Sequence, residues 1–498
     1  MKRALSGIML AAIAAHLSTA LYPAAPLQWL TSLLSIMLVA LLLRGVKPLV
    51  RVLGSVMLAI GLALLAAHDA EWTSYPLSFG RMLNVLSLFA LIPLIAIPIE
   101  LGRYALRVQA MIERRVKYSG LLYSITSLLT FVSSSFMNLA AMPMMYHTMR
   151  PSVDLYPIAQ KERFLSRSIT HGFSLPTLWT PVTPIVGIVV EMTGVKWLHL
   201  LPVLIPFSLL CLAVDCLMAH WIAKRRRKQR DTAIAADGGA GRREPSATQA
   251  PVSLAAAHRH SAELAAGAAV DPGTLAVEEP TPAKAGSHPL QIVLAVLIFN
   301  GMISLLESSA HIGFLLIVTL AVLPYAYVWS LLLGQGRAFL AAARAKLPAH
   351  MLQMKDQFFM FLSAGFMISA IEATDGGTAI TAALGAVKAT VGGDLFLLLV
   401  PLIPVALAFL GMQPAVALAL TAGALDPHAL GVSPELAAIA MLTGAAAGFL
   451  VGPYNATANM MAGLIRRSAY KVSNWNLPFT AAYLTMAMVL LLVLKNAG

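Results

Sequence analysis

Charge is what this chain has least of. Asp, Glu, Lys and Arg make up 11% of its 498 residues, against a hydrophobic share of 58% and a mean hydropathy of +0.77. A soluble domain carries about 25% charged residues, so this one reads as an all-α polytopic membrane protein whose first partner is the lipid bilayer. Cysteine is nearly absent. Cys211 and Cys216 share one apolar segment at a spacing that puts them on different helix faces, which excludes a disulfide framework and gives them no redox or metal role. No Gly-x-x-x-x-Gly-Lys-Ser/Thr sequence occurs, against an ATP-driven pump, and no His-Glu-x-x-His, against a zinc hydrolase. A membrane-embedded subunit of a pump or enzyme therefore finds little support, and no catalytic residue is expected. The net charge of +13 would suggest nucleic acid on a soluble face. Here the basic residues gather in short loops between apolar runs, which is the positive-inside pattern, and no nucleic-acid partner is expected.

Windows of about 20 apolar residues place the first spans near 4–20, 27–43, 50–67 and 83–98. Lys2 and Arg3 ahead of the first run resemble a secretory signal, but no clean small-x-small cleavage site closes it, so it is read as a span. Arg44, Lys47 and Arg51 lie between the second and third spans, while the loop from His68 to Gly80 carries Asp69 and Glu71 and no Lys or Arg. The amino terminus is therefore expected in the cytoplasm. Arg103 to Lys117 mixes Leu106, Val108 and Met111 with Arg107, Glu113, Arg114 and Arg115 and reads as an interfacial helix.

Ser119 to Met149 is too long for one span and too short for two. Its middle, Ser133-Ser134-Ser135-Phe136-Met137-Asn138, is a polar tip between apolar arms. A re-entrant hairpin fits, and it returns Arg150, Lys161, Arg163 and Arg167 to the basic side. The chain then crosses outward through Thr180-Pro181-Val182-Thr183-Pro184 and returns over Trp197 to Trp221, anchored by Lys224 to Arg230. Asp231 to His288 is rich in Ala, Gly, Pro, Ser and Thr without hydrophobic period, so residues 223–288 are expected to be a disordered cytoplasmic linker.

Residues 289–498 repeat the plan of residues 1–222, which add one leading span. Spans fall near 289–305, 313–334 and 351–372, with an outer loop holding Glu307 and a basic inner loop holding Arg337, Arg344 and Lys346. An interfacial stretch from Asp375 to Thr390 precedes a second hairpin, Asp394 to Leu425, interrupted by Gly411-Met412-Gln413-Pro414. A second broken helix crosses inward at Gly452-Pro453-Tyr454-Asn455-Ala456-Thr457, and a last span near 476–495 leaves the carboxyl terminus outside. The total is about 11 transmembrane helices plus two re-entrant hairpins, in two inverted-topology repeats with broken helices. Paired broken helices in inverted repeats are the pattern of a secondary transporter, because unwound backbone is tolerated at membrane depth only where protein or a cavity satisfies it.

Four irregular stretches should meet at one substrate or ion site. The candidates are Ser133, Ser134, Ser135 and Asn138 from the first hairpin, Thr180 and Thr183 from the first break, Gly411 and Gln413 from the second hairpin, and Asn455, Thr457 and Asn459 from the second break. Half-helix N-termini suit a carboxylate or oxyanion, and freed C-terminal carbonyls suit Na+. The same residue types also cap helices and join them in membranes. His171 reads as a core histidine, with a proton relay as the alternative. Asp215, Glu372 and Asp375 are expected to reach the interface, and Met142, Met144 and Met145 to pack. No cofactor is expected beyond Na+ or H+ as coupling ion.

This pattern resembles the ion transporter superfamily, which includes divalent anion/sodium symporters, arsenite permeases and sodium/proton antiporters. Symporters of that superfamily carry a Ser-Asn-Thr signature at each hairpin tip, where this chain has Ser133-Ser134-Ser135 with Asn138 and Gly411-Met412-Gln413. The resemblance implies a secondary active transporter in the cytoplasmic membrane, moving a small carboxylate-like solute by an elevator mechanism in a homodimer. Metalloid or cation efflux is the alternative transport activity.

Overall fold

A computed structural model describes residues 2–102, 104, 118–156, 158–237, 290–310, 312–374, 376–425 and 431–497. Among them every regular element is helical. Ten helical runs are long and apolar enough to cross a membrane, or 11 if one pair bent by 90° counts as a span. The polytopic expectation holds.

The amino-terminal helices are α1 (Lys2–Leu21), α2 (Ala25–Leu42), α3 (Pro48–Ala67) and the single turn α4 (Ser74–Leu77). The fourth span is α5 (Leu83–Leu91), a 3₁₀ segment Ile92–Ala96 and α6 (Ile97–Leu101); Pro93 and Pro98 withhold backbone donors there and the turn tightens. The expected interfacial helix 103–117 lies outside the described residues except Tyr104.

The first hairpin is α7 (Ser119–Met137), a 3₁₀ turn at Asn138–Ala140, and α8 (Ala141–Asp154). Asn138 has φ +50° and ψ −134°, a backbone conformation that L side chains rarely adopt. Ser133 Oγ lies 3.8 Å from Met145 Sδ, whereas twelve residues of straight helix would separate them by about 18 Å. The chain therefore doubles back as expected. The first broken helix is α9 (Lys161–Ser174), a 3₁₀ turn at Pro176–Leu178, and α10 (Pro184–Thr193). Helix α11 (Trp197–Asp237) follows, so the first part of the expected linker is helical, and its remainder lies outside the described residues. Within the separate unit formed by residues 221–286, the Arg225 guanidinium stacks 3.7 Å over Trp221.

The second half contains α12 (Leu290–Ser309), α13 (Phe314–Leu332), α14 (Gly336–Gln353), α15 (Lys355–Ala373) and α16 (Gly376–Val391). The expected basic loop 335–350 is thus helix α14; its run of Ala, Leu, Arg and Lys favours helix over loop. The second hairpin is α17 (Gly393–Leu399), α18 (Leu402–Phe409) and α19 (Pro414–Ala424), with its first arm kinked at Pro401. Gly411 at the tip has φ +98°, a conformation open to glycine. The second broken helix is α20 (Pro434–Val451) and α21 (Ala456–Ile465), and the last helix is α22 (Ala469–Ala497).

Both halves belong to one compact unit, residues 1–220 with 287–498. Helix α3 runs along α15 through Gly54 and Gly61, where an added Cβ would collide with the rings of Phe359 and Phe366. Such small-residue seams let helix backbones approach where hydrophobicity gives no drive for association.

Candidate solute site

The two helix breaks follow from proline. Pro181, Pro184 and Pro453 carry no N–H, and a residue before proline is held extended, as Thr183 is at ψ 121°. The carbonyls freed at the breaks are taken by protein. At the first break Thr180 Oγ1 donates to Ser135 O at 2.5 Å, Trp197 Nε1 to Trp179 O at 2.8 Å, and Asn138 Nδ2 to Val182 O at 3.5 Å. At the second, the last four carbonyls of α20 each find a side chain. Asn455 Nδ2 donates to Gly448 O at 2.8 Å and Phe449 O at 3.0 Å, Asn476 Nδ2 to Leu450 O at 2.9 Å, and Ser473 Oγ to Val451 O. These are the groups that a membrane interior would otherwise leave unsatisfied. The C-terminal carbonyls expected to suit Na+ are therefore engaged at α20.

A cavity of about 120 Å³ lies where the irregular stretches meet. Its wall takes Asn138, Leu139 and Ala140 from the first hairpin tip, Thr183, Pro184 and Ile185 from the first break, Gln413, Pro414 and Ala415 from the second hairpin, and Ala456 from the second break. Three half-helices, α10, α19 and α21, begin at this wall, and α8 begins just beyond the Asn138–Ala140 turn. N-terminal ends carry partial positive charge, so α10, α19 and α21 turn that end of their dipoles to the cavity without a Lys or Arg side chain in its wall. Phe89, Ile92, Met137, Phe173, Met354 and Phe449 make the rest of it apolar. Its volume is well above the ~10–15 Å³ that one water needs.

The sequence-derived candidates divide. Asn138, Thr183 and Gln413 line the cavity, and Thr183 Oγ1 is buried without a hydrogen-bond partner. Ser134 and Ser135 bond back to Phe131 O and Val132 O of their own helix, and Ser133 faces Met145. Thr180 links the first break to the first hairpin. Asn455 is fully buried and caps α21, its Oδ1 accepting from Ala458 N at 2.6 Å; Asn459 Nδ2 donates to Asn455 O at 2.8 Å. Thr457 is fully buried with its hydroxyl unpartnered, away from the cavity wall. Gly411 shapes the second tip against Leu49.

Sequence reasoning missed two polar wall residues. His350 enters from α14, its Nε2 3.2 Å from Phe89 O, and Gln357 enters from α15 with its Oε1 buried and unpartnered. Gln357 was visible as a polar residue in an expected span; His350 was hidden in an expected loop. Asp215 corrects a further expectation. It does not reach an interface but is fully buried, 2.7 Å from His171 Nδ1, with Tyr123 and Ser127 donating to it at 3.0 and 3.1 Å. Glu307 accepts from the backbone N–H of Trp197 at 2.7 Å and so caps α11.

A second cavity of about 680 Å³ is lined by His16, Arg81, Asn84, Glu191, Gly313, Glu372 and Gly423, among others. Arg81 pairs with Glu372, and Asn84 Nδ2 donates to Glu191 Oε1 at 2.9 Å. The loops and helix ends around it are ones that loop charge assigns to a single face.

No family model matches the chain, and no curated protein matches it. Among solved structures it is similar to the YdaH transporter of Alcanivorax borkumensis, described as having an unusual topology, at 16% identity and TM-score 0.50, over 94% of this chain and 98% of that one. It also matches MtrF of Neisseria gonorrhoeae, described within a class of antimetabolite efflux pumps, at 13% identity and TM-score 0.47, over 86% and 83% of the two chains. The likeness to YdaH covers nearly the whole of both chains, and the two share a fold.

Proposed function

We propose that the chain is a secondary active transporter that moves a small anionic, carboxylate-like solute across the cytoplasmic membrane, coupled to Na+ or H+. One observation carries this reading: both hairpin tips and both helix breaks line one cavity, and the half-helices starting there present their N-terminal ends to it. That field favours an anion and opposes a bare cation, which ranks anion transport above metalloid or cation efflux. The fold of YdaH, itself a transporter by description, supports the same class.

The repeated order of spans, hairpin, broken helix and span supports inverted repeats within an ion transporter superfamily architecture, and an elevator movement of hairpins and broken helices. Clustering of the segments around Arg81, Glu191, Gly313 and Glu372 supports a cytoplasmic amino terminus, with that larger cavity as the outer vestibule. The homodimer rests on the family resemblance and is tested by the mass of the protein–detergent complex in light scattering.

The decisive experiment is a thermal-shift screen of purified protein against malate, benzoate, sulfate, arsenite and amino acids, with and without Na+. A ligand of the native state raises stability by mass action, by ~2.7 kcal/mol at a hundredfold its Kd. An anion should stabilise the protein, and Gln413→Ala should abolish that gain while leaving the unliganded melting point in place; Asn138→Ala should abolish it too, read against its own unliganded melting point, which falls because Val182 O loses its donor. Stabilisation that survives both substitutions, or none with any anion, rejects the site.

A further inference from the structure

His171, Asp215, Tyr123 and Ser127 form a buried polar cluster among the helices, apart from the solute cavity. The carboxylate of Asp215 on α11 meets His171 Nδ1 from α9, Tyr123 OH from α7 and Ser127 Oγ from the same helix, at 2.7, 3.0 and 3.1 Å. His171 and Asp215 are both 0% exposed. An ionisable pair within a membrane domain is costly and marks function by default.

The bonding pattern assigns the tautomer. Tyr123 and Ser127 donate to Asp215, so Nδ1 carries the hydrogen that completes the third bond. Nε2 then holds a bare lone pair, buried with Asn476 as its polar neighbour. Phe479 of α22 stacks on the ring with centroids 4.2 Å apart, a face that accommodates an imidazolium as well as an imidazole. One turn earlier on α9, Arg167 is 8% exposed with Nε and Nη2 buried and unpartnered. Among the described residues, the groups acting on the ring are Asp215, Arg167 and Asn476, with the Tyr123 hydroxyl 3.2 Å from Nδ1 and Cys216 flanking Asp215 on α11.

We propose that the His171–Asp215 pair is a proton-binding site of the transport cycle, with His171 Nε2 as the atom that takes up and releases the proton. The step adds one proton to a lone pair and breaks no bond. The ring becomes a double donor facing Asp215 through Nδ1, and the cluster gains one positive charge. A buried charged donor without an acceptor is costly, so the protonated ring favours an arrangement in which Nε2 finds one; Asn476, which accepts from Thr170 Oγ1 at 3.1 Å, offers a second lone pair. The link to the solute cavity is short. His171 lies on the first arm of the broken helix that carries Thr183, and Ser134 Oγ of the first hairpin donates to the carbonyl of the adjacent Gly172 at 3.3 Å.

This inference rests on the transporter reading for its purpose but can fail alone. In lipid nanodiscs, solid-state NMR of protein labelled with ¹⁵N at its twelve histidines should show one ring, absent in His171→Asn, that passes from neutral to imidazolium between about pH 9 and 4.5. Asp215→Asn should move that step down by a unit or more, because the facing carboxylate is lost, whereas Tyr123→Phe should retain it. A His171 ring that keeps one charge state throughout, or one that titrates identically with Asp215→Asn, overturns the proposal. In pyranine-loaded proteoliposomes, any anion that stabilises the protein should drive proton movement that falls at least tenfold in His171→Asn. Stabilisation with unchanged proton flux in that variant refutes the coupling, while absence of stabilisation by every anion refutes the solute site and leaves the titration result standing.

Discussion

Replacing Asn455 by alanine should unfold the second break while leaving the solute cavity's wall chemically intact. The side chain makes three buried bonds, accepting from Ala458 N and donating to Gly448 O and Phe449 O. Gly448 O keeps a bond from Gly452 N at 2.9 Å, so its loss is modest. Phe449 O has no such substitute, since the residue four positions on is Pro453; a buried carbonyl left unpaired costs about 1–3 kcal/mol. Loss of the N-cap adds ~1 kcal/mol. The total of roughly 2–4 kcal/mol should lower the melting temperature by about 2–4 °C in a chain of this length. A thiol-reactive fluorogenic dye can read the transition, because the two cysteines are a fully buried Cys211 and a half-buried Cys216 on α11. Asn455→Ser restores a good cap without reaching both carbonyls, so it should recover about 1 kcal/mol of the loss. If Asn455→Ala melts within about 1 °C of the parent, or Asn455→Ser is no better than alanine, the capping account is wrong.

Other consequences are equally direct. Gly172→Ala should destabilise by ~1–3 kcal/mol in the same dye assay, because the new Cβ would overlap the Ser127 carbonyl oxygen where α7 and α9 touch. Thr180→Val should cost about 1–2 kcal/mol by stranding Ser135 O, and should weaken anion stabilisation by loosening the first hairpin from the first break. Arg81→Gln breaks an exposed pair with Glu372 and should change stability by less than ~1 kcal/mol; an equilibrium unfolding curve displaced further would give that pair a larger role than its exposure permits.

The architecture was legible because it follows from length, charge and proline. The roughly 31-residue apolar stretch around Ser133 to Asn138 is too long to span once and too short to span twice, and Pro181, Pro184 and Pro453 lie in the two short stretches where the helices break. What was not legible is which way a side chain points once several helices are assembled. Ser133, Ser134 and Ser135 have the composition of a ligand shell, but a hydroxyl on a helix can reach its own preceding turn, and two of the three do so. Asp215 was placed near a span end by counting along one segment, whereas its neighbours His171 and Tyr123 come from two others. His350 and Gln357 reach the cavity for the same reason: their position is set by packing between halves of the chain, which a linear pattern does not encode.

The seam between α3 and α15 has a bearing on how the protein is made. Gly54 and Gly61 are shaped to receive Phe359 and Phe366, and Lys47 is held by Asp356, yet roughly 290 residues separate the end of one helix from the start of the other. At a synthesis rate of about 5–20 residues per second, the glycine-lined face of α3 waits some 15–60 s in lipid before its mate emerges from the ribosome. During that interval the first 222 residues are an unfinished half, and any biogenesis factor or lipid that shields a notched helix would act in that window.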